Sequence, residues 1–285
     1  MRNLLRSGLR RLSPTPESTR PVGAHQATVI AVATQKGGVG KTTTAVNLAT
    51  ALARFHDQRV LLIDLDPQGH VATSLRAVVN PGGGSLASVF TDAAHRPEVM
   101  DIVAHTDVPG LDVTPYDAGL ATAEELLGTR IGKELVLREA LQTTRTHYDV
   151  IVIDCPPNLG NLSVNGLAAA DRVLVPCDPS PLALNGVNAL LRTVAQIADR
   201  LNPEIDLLGI LLTRVDGRNT RLNLSIVNEL TAQWGEAMLP VQIGVNASLG
   251  RAQAEGRDIF EVDPFGRGAQ QYAELADQVV QRLGR

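Results

Sequence analysis

Short runs of uninterrupted apolar residues alternate along this chain with longer stretches whose apolar positions recur every three or four residues. Strands buried on both faces give the first pattern, and helices laid against a sheet give the second. Thr28–Thr34, Arg59–Asp64, Asp149–Asp154, Arg172–Pro176 and Asp206–Thr213 read as buried strands, with Leu111–Pro115 a short one and Met238–Ile243 a weak one. Lys41–Phe55, Ala183–Arg200, Thr220–Trp234 and Gly268–Leu283 read as helices, and Glu124–Thr143 contains helix. The alternation predicts an α/β fold, a single doubly wound, mostly parallel sheet flanked by helices. In the last helix Tyr272, Leu275, Val279 and Leu283 share one face and only Arg282 and Arg285 supply positive charge, the spacing of core packing. Asn80–Gly84 (NPGGG) reads as a flexible loop inside the domain.

The first residues follow another pattern. Leu4, Leu5, Leu9 and Leu12 lie at helical spacing among arginines, and a stretch rich in Pro, Ser and Thr follows. This divides the chain into a basic tail and linker, 1–26, and one folded domain, 27–285. The net charge of −4 is correspondingly uneven. Residues 1–20 carry five arginines against one glutamate, so a tail of +4 precedes a body of −8. That body is no basic nucleic-acid coat. Aromatics make up only 3% of the 285 residues, which argues against domains that stack bases on aromatic platforms. The two cysteines, Cys155 and Cys177, lack CxxC spacing, and no apolar run is long enough to span a bilayer, so a reduced cytoplasmic setting is the expectation.

Lysine is scarce, at three residues among 26 basic ones, and two of the three fall in one glycine loop. Strand Thr28–Thr34 runs into Gln35-Lys36-Gly37-Gly38-Val39-Gly40-Lys41-Thr42-Thr43, and a helix follows. Strand, glycine loop and helix in that order make a phosphate cradle. Glycines let successive N–H groups turn toward an anion, and the helix N-terminus adds its dipole. Lys41 reaches the β- and γ-phosphates of a nucleotide, and the Thr42 hydroxyl suits Mg²⁺, which prefers oxygen ligands. The ordinary G-x-x-x-x-G-K-[ST] pattern fails at its first glycine, where Gln35 stands, and an additional lysine, Lys36, follows it.

Two strands end in acids, at Asp64 (followed by Leu65-Asp66-Pro67-Gln68-Gly69) and at Asp154 (followed by Cys155-Pro156-Pro157). Ligands of open parallel sheets sit at the C-terminal ends of the strands, so both acids point to the crevice of the glycine loop. An aspartate closing an apolar strand is the usual holder of Mg²⁺ in such sites.

KGGVGKTTT resembles the deviant Walker A loop of the ParA, MinD and nitrogenase iron protein group. The resemblance implies that Lys36 acts in trans on the nucleotide of a second copy, and that ATP holds two copies together. DLDPQG resembles the DxDPQG segment of ParA proteins, which implies that Asp66 places the attacking water. DCPP resembles their Walker B segment, which puts Asp154, with Asp64 nearby, at the Mg²⁺. Leu212-Thr213-Arg214-Val215-Asp216-Gly217-Arg218 resembles the LLTxxDxR strand and loop near the adenine, which implies nucleotide contacts at Thr213 and Arg214; Asn246, in a segment that helps contain the adenine in the family, is a third, and Asp263–Ala269 resembles the DPxSRGA segment before the last helix. The likeness covers 27–285 and points to the ParA/Soj branch: an ATPase using ATP and Mg²⁺, dimeric with ATP, binding DNA nonspecifically at the nucleoid, segregating or positioning a cargo (a chromosome, a plasmid or a protein assembly), and stimulated by a ParB-like or other cargo adaptor.

The pattern departs from that branch in two places. Asn185 stands where the ALEG turn has Glu, and Ile243–Arg251 keeps Asn246 but lacks the proline and both arginines of a PRxxRLxEA-type segment. Arg218 matches a family DNA contact, with Arg221 and Arg251 as further candidates. Residues 214–267 nevertheless hold six arginines against seven acids, so charge alone does not predict DNA binding there. The basic tail suits DNA phosphates, a partner groove or anionic lipid. The alternative function is accordingly a MinD-like positioning ATPase, tethered to a membrane by the N-terminal tail.

Overall fold

The computed structural model describes residues 26–92, 97–216 and 220–284, the last without the side chains of 220–224. Its centre is one sheet of eight strands: β1 (Thr28–Val32), β2 (Val60–Asp64), β3 (Ala104–His105), β4 (Leu111–Val113), β5 (Val150–Asp154), β6 (Arg172–Cys177), β7 (Asp206–Val215) and β8 (Met238–Gly244). Their order across the sheet is β3-β4-β2-β5-β1-β6-β7-β8. All neighbouring pairs are parallel except β3 with β4 at one edge.

Parallel neighbours require crossovers, and helices supply them. They are α1 (Lys41–His56), α2 (His70–Leu75), α3 (Leu86–Thr91), α4 (Leu120–Leu127), α5 (Val136–Ala140), α6 (Asn161–Ala169), α7 (Ala183–Arg200), α8 (Thr220–Trp234), α9 (Ala247–Glu255), α10 (Ile259–Val262) and α11 (Arg267–Arg282). Alternation along the strands sorts the core into two layers. Val29, Ala31, Leu61, Ile63, Ile151 and Ile153 face a layer with residues of α3 to α8. Ile30, Val32, Val60, Leu62, Val150 and Val152 face one with residues of α1, α2 and α9 to α11. Tyr272, Leu275 and Val279 of α11 are buried in the second layer, as their shared face predicts.

Some expectations change. The helical content expected within Glu124–Thr143 is divided between two helices: α4 begins at Leu120, and Gly132, at φ +69°, separates it from α5. The short helices α2, α3, α9 and α10 and the antiparallel strand β3 had no clear periodicity in the sequence. Asn80–Gly84 is an exposed loop whose last two glycines lie close against neighbouring residues. A Cβ on Gly83 would stand 2.5 Å from Pro115 Cγ and one on Gly84 2.8 Å from Ile102 Cγ2, while Gly84 N–H donates to the Ile102 carbonyl at 3.0 Å. Residues 1–25, which carry the basic tail, lie outside the described residues.

Candidate nucleotide site

The strand order gathers the chemistry at one edge. β1 lies between β5 and β6, and β5 lies between β1 and β2. The glycine loop leaves the C-terminal end of β1, with Asp154 ending β5 and Asp64 ending β2 in register beside it. The loop has the backbone that a phosphate cradle needs. Gly38 and Gly40 take φ of +77° and +83°, which side chains with a Cβ rarely adopt, and a Cβ on Gly37, Gly38 or Gly40 would meet nothing within 4 Å. Val39 is buried beneath the loop, and Lys41, Thr42 and Thr43 open α1.

Lys41 is 8% exposed and donates to Asp154 Oδ1 at 2.7 Å. Burial works against its ammonium, and Asp154 more than offsets that, so Lys41 is held above its ordinary range. The other oxygen of Asp154 accepts from Thr42 Oγ1 at 2.6 Å. Asp64 Oδ1 accepts from the Asp66 N–H at 3.0 Å and its Oδ2 from the Val71 N–H at 3.1 Å. Burial, and then the neighbouring Asp154, push Asp64 up to about 8. Two buried acids beside a hydroxyl therefore repel one another and share one lysine. A divalent cation there would relieve that repulsion, and the oxygens of Thr42, Asp64 and Asp154 are the hard donors that Mg²⁺ takes. Among the described residues there is no cluster of three or more His, Cys, Asp or Glu of the kind that holds a metal without help from substrate or water. Asp66 is buried and accepts the Gln68 N–H at 3.0 Å, which shapes the turn 66–69.

Lys36 sits differently. It lies at the rim, 38% exposed, and donates to both oxygens of Asp178 at 2.7 and 2.9 Å and to Ser180 Oγ at 3.0 Å. Asp178 follows β6 directly, so it is a third acid at a strand end. That position marked it in the sequence, where only two such acids were singled out. Beside Lys36 an open groove of about 520 Å³ is bordered by Leu182, Asn185, Asn188 and Arg192 of the α7 region.

Of the residues expected at the adenine, Thr213 and Arg214 support the glycine loop. Thr213 is buried and donates to the Val39 carbonyl at 2.6 Å. Arg214 has φ of +54°, and its guanidinium donates to the Gly38 carbonyl at 3.0 Å. Asn246 caps α9 by accepting the Ser248 N–H at 2.8 Å. Arg251 is exposed on α9, with Glu255 at 4.0 Å. Arg218 and the side chain of Arg221 lie outside the described residues. Cys155 and Cys177 are buried free thiols, both pushed up to about 12 by burial, and are no nucleophiles.

Residues 27–207 match the profile of a family described as AAA domain. The chain is 39% identical over 251 residues to the sporulation initiation inhibitor protein Soj of Bacillus subtilis, covering 88% of this chain and 97% of that one. It is 39% identical over 263 residues to the chromosome partitioning protein ParA of Caulobacter vibrioides, covering 92% and 97%. Among solved structures, cobyrinic acid a,c-diamide synthase of Mycobacterium smegmatis with bound ADP and magnesium superposes at a TM-score of 0.74, at 34% identity over 91% of this chain and 97% of that one. At 39% identity to relatives that it matches along nearly their whole lengths, the chain belongs to the ParA/Soj family of chromosome-partitioning ATPases.

Proposed function

We propose that this chain is a partition ATPase that switches between single copies and an ATP-bound pair. The observation that carries the reading is the unequal placing of the two loop lysines, one buried on Asp154 and one at the rim on Asp178. Lys41 and the N–H groups of Gly37–Thr43 hold the β- and γ-phosphates. Thr42, Asp64 and Asp154 hold Mg²⁺, which when bound neutralises phosphate charge. Asp66 orients the attacking water. Lys36 leaves Asp178 and Ser180 to reach the nucleotide of the second copy, so pairing and release of that contact are one event. Thr213 and Arg214 act through the carbonyls of the glycine loop, and Asn246 through the start of α9.

The pair binds DNA nonspecifically at the nucleoid of the cytoplasm, through Arg218, Arg221 and Arg251 and with help from the basic tail 1–26. The name of the Caulobacter ParA relative supports a chromosome or other DNA as the cargo, and a ParB-like adaptor stimulates hydrolysis. Among the described residues no helix is long and apolar enough to cross a membrane. The alternative of a membrane tether rests wholly on the tail.

Size-exclusion chromatography with ATP tests the switch. The wild type shifts to a dimer, and Asp66→Ala gives a longer-lived one. A wild type that stays monomeric at saturating Mg·ATP overturns the reading. DNA binding that survives deletion of residues 1–26 supports the body as the binding surface. Binding that instead moves to anionic vesicles, and requires the tail, supports the tether.

A further inference from the structure

Both acid loops are held by one arm of the chain that carries none of the phosphate-binding motifs. The arm runs from the end of β4 through α4. Thr114 Oγ1 accepts the Asp64 N–H at 3.0 Å. The ring of Tyr116 lies over Gly69, where a Cβ would stand 2.1 Å from Tyr116 Cδ2. Gly69 has φ of +64°, and its N–H closes the turn onto the Asp66 carbonyl at 2.9 Å. Asp117 accepts from Ser85 Oγ at 2.6 Å, the Ala87 N–H at 2.7 Å and the Gly119 N–H at 2.8 Å, which fixes the arm between α3 and α4.

The arm then reaches the second loop. Glu124, in α4, accepts the first two N–H groups of α6, from Asn161 at 2.6 Å and from Leu162 at 2.7 Å, one on each carboxylate oxygen. The Asn161 side chain returns a bond to the Glu124 carbonyl at 3.0 Å. These N–H groups have no partner within their own helix, and a carboxylate supplied from elsewhere is their strongest acceptor. Gly160 is the close approach that allows this, since a Cβ there would stand 2.3 Å from Glu124 Oε1. Residues 155–160 join Asp154 to α6, so Glu124 fixes the far end of the loop that Asp154 begins.

We propose that Glu124 is a positioning residue for ATP hydrolysis. It locks the loop after Asp154 through the N-terminus of α6, while Thr114 and Tyr116 of the same arm hold the turn that carries Asp64 and Asp66. The two acid loops then keep a fixed spacing, which an in-line displacement at phosphate requires. The inference rests on the reading of Asp66 and Asp154 as the acids of the reaction.

The experiment is steady-state ATP hydrolysis by the full chain with Mg²⁺, together with a thermal melt of each variant. Glu124→Ala lowers kcat tenfold or more with the KM for ATP within about twofold. Glu124→Gln, which keeps one acceptor oxygen, recovers part of the loss. Gly160→Ala pushes the carboxylate away and reproduces the kcat defect in a chain that retains Glu124, so it carries the test if Glu124→Ala fails to fold. A lower melting temperature with unchanged kcat, or a raised KM with unchanged kcat, overturns the proposal. Asp66→Ala separates the two failures. If Asp66→Ala hydrolyses ATP at the wild-type rate, the underlying reading is wrong. If Asp66→Ala is inactive while Glu124→Ala and Gly160→Ala keep wild-type kcat, only the role of Glu124 falls.

Discussion

The glycine loop has an inner end and an outer end, and its two lysines live under different physics. Lys41 is paired with a carboxylate that is itself fully buried, so neither charge has water to fall back on. Lys36 and Asp178 keep 38% and 21% of their side-chain surfaces exposed, and solvent screens that pair. A buried pair resists separation because the survivor is left uncompensated, whereas an exposed pair exchanges partners at little cost. The inner lysine therefore suits permanent grip and the outer one suits transfer between partners.

The comparison breaks most readily at the inner end. Truncating one member of a buried pair typically costs about 3–5 kcal/mol. Lys41→Ala is expected to lose ATP binding outright by isothermal titration, and retained affinity would remove Lys41 from the cradle. At the outer end, Lys36→Ala is expected to bind ATP within about threefold of wild type, since it removes only a screened charge, yet to remain monomeric on size exclusion with ATP. Normal dimerisation would refute the action in trans.

A pH series sharpens the inner end. Asp64 is pushed up to about 8 in the folded chain, against about 3.9 unfolded. Between those values the folded state holds a proton that the unfolded state has released. The stability of the nucleotide-free chain therefore falls as pH rises toward 8, by at most about 1.4 kcal/mol per unit. Asp64→Asn cannot titrate. Urea melts in chelator at pH 6, 7 and 8 should show the wild type losing ground to the variant as pH rises, and parallel curves would contradict the raised value. The smallest effect belongs to Asp178→Asn. An exposed pair contributes about 1 kcal/mol or less, so releasing Lys36 should lower the ATP concentration needed for dimerisation by no more than about fivefold. A higher requirement, measured by light scattering, would mean that Asp178 assists pairing.

The strands of the central sheet were legible because their apolar runs are unbroken and buried on both faces, as VLLID and VIVID are. The phosphate loop was legible because its parts are contiguous. What escaped depends on neighbours far apart in sequence. Asp178 reaches Lys36 only because β6 lies beside β1, a fact of strand order. Glu124 gave no local sign, since its partners at 161 and 162 belong to a different helix. Within Glu124–Thr143 the helical spacing was legible but the break was not, because apolar spacing continues across Gly128 and Gly132, while Gly132 takes a left-handed backbone. Short α9 escaped because it buries only Ala252 and so carries no apolar stripe.

The close approach of Gly83 and Gly84 to their neighbours matters to anyone who wishes to watch this protein in a cell. By sequence, NPGGG is the obvious place to insert a fluorescent tag, but Gly83 and Gly84 are wedged against Pro115 and Ile102, at the foot of the arm that steadies Asp64. A tag there would report on a damaged enzyme. The turn at 128–132 is the better graft point, with Ile131 99% exposed and open space beside Gly132.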